Sequence, residues 1–128
     1  GREDSRPRKP LSEILRNTRA RLPLIVLDHR PAPLAELERE GVDLQISGHT
    51  HAGQIWPVTW LVRLLNEVAV GHGQRGAARL YVTSGLGLWG LPVRIGSVSE
   101  LLDLRVEFAP PDGSAGKPCA EGWRFSGN

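Results

Sequence analysis

The sequence has 128 residues, 40% of them hydrophobic and 23% charged, with a formal net charge of +2. This composition excludes a disordered or fibrous segment and fits one small globular domain. Much of the charge excess lies in the first ten residues, where Arg2, Arg6, Arg8 and Lys9 stand among Pro7 and Pro10; no aromatic side chains are interleaved to stack on bases, so residues 1–10 read as a basic, flexible lead and no specific nucleic-acid binding is expected.

After this lead, Ser12 can cap a helix running through Glu13, Ile14, Leu15 and Arg19, with Ile14 and Leu15 on one face; it should stop before Pro23. Leu24 to Leu27 is a short apolar run, β-branched at its centre, of the kind found in strands buried on both faces. It ends at Asp28-His29-Arg30-Pro31. A second short helix fits Pro33 to Glu40, with Leu34 and Leu37 inward and Gly41 placed to terminate it. Val42 to Ser47 reads as another buried strand. This strand–helix–strand order is that of an α/β sheet, where ligands collect at the ends of strands.

Further along, Trp60 to Val68 fits an amphipathic helix with Leu61, Leu64 and Leu65 inward, and a glycine-rich connection follows through Gly71, Gly73 and Gly76. The longest apolar run, Val58 to Leu65, contains Arg63 and is too short to span a bilayer. Leu80 to Ser84 reads as a strand. After a glycine-rich loop from Gly85 to Gly96, residues Glu100 to Phe108 alternate, with Leu102, Leu104, Val106 and Phe108 on one side, as in a half-exposed strand. Trp56, Trp60 and Trp89 are expected in the core or a cleft wall. Gly, Pro and Ser dominate residues 110–128, read as a tail without a core. Its Cys119 has no partner in the chain, which excludes an intrachain disulfide and a cysteine-based zinc site. Nothing at the start resembles a signal peptide. The sequence lacks methionine and begins at Gly1, from which a longer parent protein is expected.

Three of the four histidines fall in the loops after the first two predicted strands: His29, then His49 and His51 in Gly48-His49-Thr50-His51. Neutral imidazoles suit zinc, manganese and iron, and a glycine before the pair allows the sharp turn that aims both rings into one cavity. His72, between Gly71 and Gly73, has no surrounding motif and reads as an exposed loop residue. The metallo-β-lactamase pattern needs an aspartate and a third histidine after the pair, whereas Ala52-Gly53-Gln54 follows here. The two-histidine phosphodiesterases need a second His-x-Thr/Ser element, and the H-E-x-x-H zinc-protease pattern is absent.

The run from Ile46 through Gly48-His49-Thr50-His51-Ala52-Gly53-Gln54 to Pro57 resembles the closing metal motif of calcineurin-like metallophosphoesterases, closest to a bacterial, often membrane-anchored branch in which it reads GHTHGGQ. Leu27-Asp28-His29-Arg30-Pro31 resembles the motif that precedes it. Tyr81-Val82-Thr83-Ser84-Gly85-Leu86-Gly87, continuing through Trp89 and Pro92 to Arg94, resembles the glycine-rich C-terminal signature of the same branch. Together these cover about residues 24 to 100. The resemblance implies that His29 and His49 coordinate one metal and His51 another, with Gly48 as the turn residue. Three upstream motifs supply the other ligands in the family, D-x-H, G-D-x-x-D and G-N-H-D/E, and none occurs in this sequence. Asp28 and Asp43 are poor substitutes, since one points away from His29 and the other lies at the far end of its strand. Arg94 is a candidate for binding substrate phosphate, with a loop-bracing role as its alternative.

The implied fold is α/β, the C-terminal half of the family's two-sheet αββα sandwich, over residues 11–109. The implied activity is hydrolysis of phosphomonoesters or phosphodiesters at a site of two divalent metal ions (Mn, Zn or Fe), incomplete in this chain. The alternative is a non-catalytic metal-binding or interaction domain derived from a truncated phosphoesterase. Expected partners are a phosphate-ester substrate and the N-terminal half of the same domain, and an uncovered sheet face would favour self-association. The expected location is cytoplasmic, or at a membrane through an N-terminal segment outside this sequence.

Overall fold

In a computed structural model of the protein, residues 8–18 and 22–106 are described. Residues 110–128 and most of the basic lead lie outside them. A four-stranded mixed sheet is the centre of the fold: β1 (Ile25–Leu27), β2 (Leu44–Ser47), β3 (Gly71–Arg75) and β4 (Ala78–Val82), in the order β1-β2-β4-β3. β1, β2 and β4 run parallel, and β3 returns antiparallel beside β4. The predicted α/β class is therefore present, as a one-sheet portion of a sandwich.

Helix α1 (Leu11–Leu15) precedes β1, and α2 (Leu34–Arg39) connects β1 to β2. Pro33 occupies the N-cap of α2, and after its last turn Gly41 takes a φ of +68° so that Val42 N–H can reach back to the Leu37 carbonyl at 2.9 Å. That left-handed turn is why a glycine ends this helix. Leu34, Leu37, Val42 and Val68 pack on Ala78, Leu80 and Val82, and Leu11, Leu15, Leu24, Val26 and Ala32 join them at the margin. In α1 the inward residues are thus Leu11 and Leu15, one helical turn apart, whereas Ile14 is exposed. Pro10, not Ser12, sits at the N-cap.

By register, Ile25 and Leu27 share the opposite sheet face with Leu44, Ile46, Arg79 and Tyr81. Leu104 lies over part of that face, beside Tyr81 and Leu44. The expectation that β1 is buried on both faces is corrected: Ile25 and Leu27 are exposed, because β1 is an edge strand and the helices cover only one side. The predicted strand from Glu100 to Phe108 is also corrected as far as residue 106; Glu107 and Phe108 lie outside the described residues. Residues 99–106 carry no strand ladder, although Leu102 and Leu104 are half-buried and Asp103 and Arg105 exposed. The alternation selects a face, but a strand also needs a hydrogen-bonding edge beside it.

β3 takes the place of the expected glycine-rich connection, and its His72 is an exposed strand residue opposite Tyr81. Helix α3 spans Val58–Leu65 and buries Thr59, while Leu61, Leu64 and Leu65, expected inward, are exposed. Of the two places expected for Trp56, Trp60 and Trp89, the core is ruled out, since all three are exposed. No helix among the described residues is long and apolar enough to cross a membrane.

Candidate metal centre

β1 and β2 end side by side, and each hands the chain to a histidine. The strand pairing continues past the formal strands, with Asp28 N–H donating to the Ile46 carbonyl and Gly48 N–H to the His29 carbonyl, both at 3.2 Å. The two loops are therefore held at one level. His29 and His49 meet there in an edge-to-face arrangement, ring centroids 4.9 Å apart, with His49 Nδ1 3.1 Å from His29 Nε2. Both rings are exposed to solvent.

The His29 loop is set from below by Gln45, one of the most deeply buried side chains in the protein. Its Oε1 accepts from Ala32 N–H at 3.2 Å, and its Nε2 donates to the Arg30 carbonyl at 3.0 Å and to Ser47 Oγ at 2.8 Å. A buried amide with three partners fixes a loop firmly, because breaking any bond strands a polar group away from water. Asp28 and Asp43 both have structural partners: Asp28 Oδ1 accepts from Arg30 N–H and its other oxygen pairs with Arg8, while Asp43 Oδ2 accepts from Leu24 N–H.

After His49 the backbone is strained. His49, His51, Ala52 and Gln54 all have positive φ, between 49° and 71°, a conformation costing non-glycine residues on the order of 1–2 kcal/mol each. Surrounding contacts hold it in place. Thr50 Oγ donates to the Ala69 carbonyl at 2.6 Å, and the short 3-10 turn His51–Gly53 packs tightly against α3. Gln54, 4% exposed, clamps the glycine-rich loop: its Oε1 accepts from Trp89 N–H at 2.6 Å, and its Nε2 donates to the carbonyls of Trp89 and Leu91. Such strain clusters where a site demands a particular orientation of its side chains.

Arg94 completes the lock. Its Nη2 donates to the carbonyls of Ser84, Gly85 and Gly87 at 2.8–2.9 Å, and its Nη1 lies within 3.3 Å of the His51 carbonyl. Both terminal nitrogens of Arg94 thus brace the loop through backbone carbonyls, and a phosphate contact through them would have to displace these bonds. Glu100 anchors the end of the same segment, accepting from Thr83 Oγ at 2.7 Å, from Ser84 N–H, and from the Tyr81 hydroxyl. Burial of the phenol, reinforced by the hydrogen bond to Glu100 and its negative charge, pushes the Tyr81 pKa up to about 12.

The residues brought together are thus His29 and His49. Among the described residues the Nδ1 of His51 is buried without a hydrogen-bond partner, and no group of three or more His, Cys, Asp or Glu side chains forms a common site. The two nitrogens of the His29–His49 pair share a hydrogen bond here, and their 3.1 Å separation lies within the roughly 2.8–3.4 Å that two imidazole ligands about 2.0–2.1 Å from one ion would span.

Comparison with known proteins decides the family. An uncharacterised metallophosphoesterase of Helicobacter pylori strain J99 is 38% identical over 107 residues, covering 82% of this chain, and one from strain 26695 is 43% identical over 66% of it. The chain belongs to the metallophosphoesterase family. Animal relatives include the zebrafish "transmembrane protein with metallophosphoesterase domain", 41% identical over 64% of the chain. The chain spans about a quarter of the length of the bacterial relatives, 28% and 23%, and a fifth of the zebrafish protein. No family model and no solved structure matched.

The sequence singled out the histidines as candidates but not the residues that hold their loops. Gln45 left little signal, as one of the polar residues that alternate with Val42, Leu44 and Ile46. Gln54 stood within the recognised motif without a role, and Glu100 carried no signal, since its partners lie 16 to 19 residues away.

Proposed function

We propose that this chain contributes histidine ligands to a divalent-metal centre that hydrolyses phosphate esters, His29 and His49 serving one ion and His51 a second. The observation that carries the reading is the 3.1 Å approach of His49 Nδ1 to His29 Nε2 at the ends of two adjacent parallel strands. When bound, two cations roughly 3.5–4 Å apart would clamp the phosphate and acidify a shared water. The chain's own part is to present imidazole lone pairs from rigid loops: Gln45 fixes the His29 loop, and Gln54 with Arg94 fixes the turn that carries His51. The phosphate ester, monoester or diester, would approach over the exposed His29 and His49 rings. Carboxylate ligands would come from a segment bearing the D-x-H, G-D-x-x-D and G-N-H-D/E motifs.

The test is titration of the chain with Zn²⁺ and Mn²⁺ by calorimetry, followed by an assay on bis(p-nitrophenyl) phosphate with and without the aspartate-bearing segment supplied in trans. His29→Ala and His49→Ala should each weaken metal binding at least ten-fold, as expected for loss of one of few ligands, and hydrolysis should need the added segment. Metal affinity unchanged in His49→Ala would overturn the site. Intact metal binding with no hydrolysis after the segment is added would instead favour a metal-binding module without catalysis.

A further inference from the structure

Helix α3 faces the wrong way for a globular core. It packs against the His51–Gly53 turn through Thr59, which is 7% exposed, and Val62 and Asn66 lie on the same inner side. With 3.6 residues per turn, Trp60, Leu64, Leu61, Leu65 and Val58 follow one another around the outer side in an arc of about 160°. All five are exposed, between 45% and 72%. Beside the first turn of this helix runs the loop clamped by Gln54. Trp56 N–H donates to the Ile95 carbonyl, and Gly96 approaches Trp56 and Thr59. That loop exposes Leu86, Trp89 and Leu91. A contiguous apolar arc of this kind on a surface helix marks an interaction site.

We propose that this surface, the outer arc of α3 with the adjoining Trp89 loop, seats on the headgroup region of an anionic lipid bilayer. Three of the four tryptophans in the chain, Trp56, Trp60 and Trp89, are exposed around it. Indole rings, apolar with one polar N–H, favour the lipid–water boundary. Charge agrees. Between residues 44 and 99 the only acidic side chain is Glu67, whose carboxylate accepts from Leu34 N–H, and Glu100, which closes the Trp89 loop, is engaged by Tyr81, Thr83 and Ser84. Arg63, exposed at the border of the arc, supplies a headgroup contact of the sign that anionic lipid attracts. A second copy seated on this surface is the competing outcome, and the oligomeric state in solution decides for or against it. Because α3 packs on the turn that carries His51, docking would hold that turn within about one helix diameter, on the order of 10 Å, of the headgroup phosphates.

Co-sedimentation of the chain with phosphatidylcholine vesicles, with and without phosphatidylglycerol, tests the proposal, with the blue shift of tryptophan emission as a second readout. Binding should appear with phosphatidylglycerol and weaken with added salt. The double variant Trp60→Glu/Leu64→Glu changes only exposed positions and should keep its circular dichroism and melting temperature. Each buried apolar side chain contributes on the order of ten-fold to partition, so the pair predicts roughly hundred-fold weaker binding. Leu27→Glu, on the open sheet face, should bind as the parent does. Three results would overturn the proposal: vesicle binding unaffected by the double variant, no binding by the parent, or binding abolished when the aspartate-bearing segment is supplied. A dimer in sedimentation equilibrium that the double variant dissociates, without vesicle binding by the parent, would assign the surface to a second copy instead.

Discussion

Gly53 joins the histidine-bearing turn to α3, and replacing it with alanine tests how closely the two must approach. Its φ is +77°, and a Cβ built there would lie 2.4 Å from Thr59 Cα, 2.6 Å from Thr59 N and 2.8 Å from Val58 C. All three are backbone atoms, so no side-chain rotation relieves the clash. The left-handed conformation costs alanine about 1–2 kcal/mol, and forcing turn and helix apart adds about 1–3 kcal/mol, giving about 2–5 kcal/mol against a typical domain stability of about 5–15 kcal/mol. Gly41→Ala is the internal control, because Gly41 has a similar φ of +68° with nothing within 4 Å of the added methyl. Urea unfolding of both variants, followed by circular dichroism, separates the conformational cost from the steric one. Gly53→Ala should be less stable than Gly41→Ala by at least about 1 kcal/mol. Equal losses in the two variants would refute the close packing of the turn on α3 and, with it, the account of how His51 and Gln54 are held.

Gln54→Leu should cost about 2–4 kcal/mol by leaving the Trp89 and Leu91 backbone groups unpaired, and hydrogen exchange should report lost protection at the Trp89 amide; unchanged protection there would remove Gln54 as the clamp. Gln45→Leu should loosen the His29 loop and weaken Zn²⁺ binding by roughly 10–100-fold, whereas unchanged affinity would mean that the loop orients itself. Tyr81 is the only tyrosine in the sequence, so phenolate absorbance reports it alone. In the folded chain it should ionise near 12 instead of 10. Since the raised value belongs to the folded state, its stabilising contribution is complete below pH 10 and declines as pH rises towards 12, where the unfolded chain releases its proton first. Glu100→Gln should lower the midpoint only part of the way, because burial is the larger cause; a midpoint already near 10 in the parent chain would contradict the buried hydrogen bond.

The parallel strand–helix–strand unit was legible because its signals are local. Leu24 to Leu27 is an apolar run, Leu44 and Ile46 alternate with polar residues in the second strand, Pro33 and Gly41 bracket α2, and Leu34 and Leu37 are both buried as their spacing requires. His29 and the His49/His51 pair were legible for the same reason, each standing immediately after a strand. The errors share one physical cause. Hydrophobic periodicity says that a face is apolar but not whether anything covers it. Leu61, Leu64 and Leu65 in α3 and Ile25 and Leu27 in β1 were assigned inward on pattern alone, and all are exposed. In residues 100–106 the alternation is real, yet no strand edge lies alongside to complete a ladder.

The sequence by itself therefore pointed to the family, through the GHTH turn and its two companion motifs, and to the three parallel strands of the sheet, but not to β3, whose residues GHGQR carry no strand signal. Tertiary structure alone decided which histidines meet and what holds them. The approach of His49 to His29 depends on β1 and β2 lying in register, and the turn conformation on Gln54 and Arg94 reaching backbone carbonyls about 35 to 43 residues from their partners. Contacts over such distances leave no periodic trace in the chain, because a side-chain hydrogen bond is chosen by where the folded backbone brings its partner.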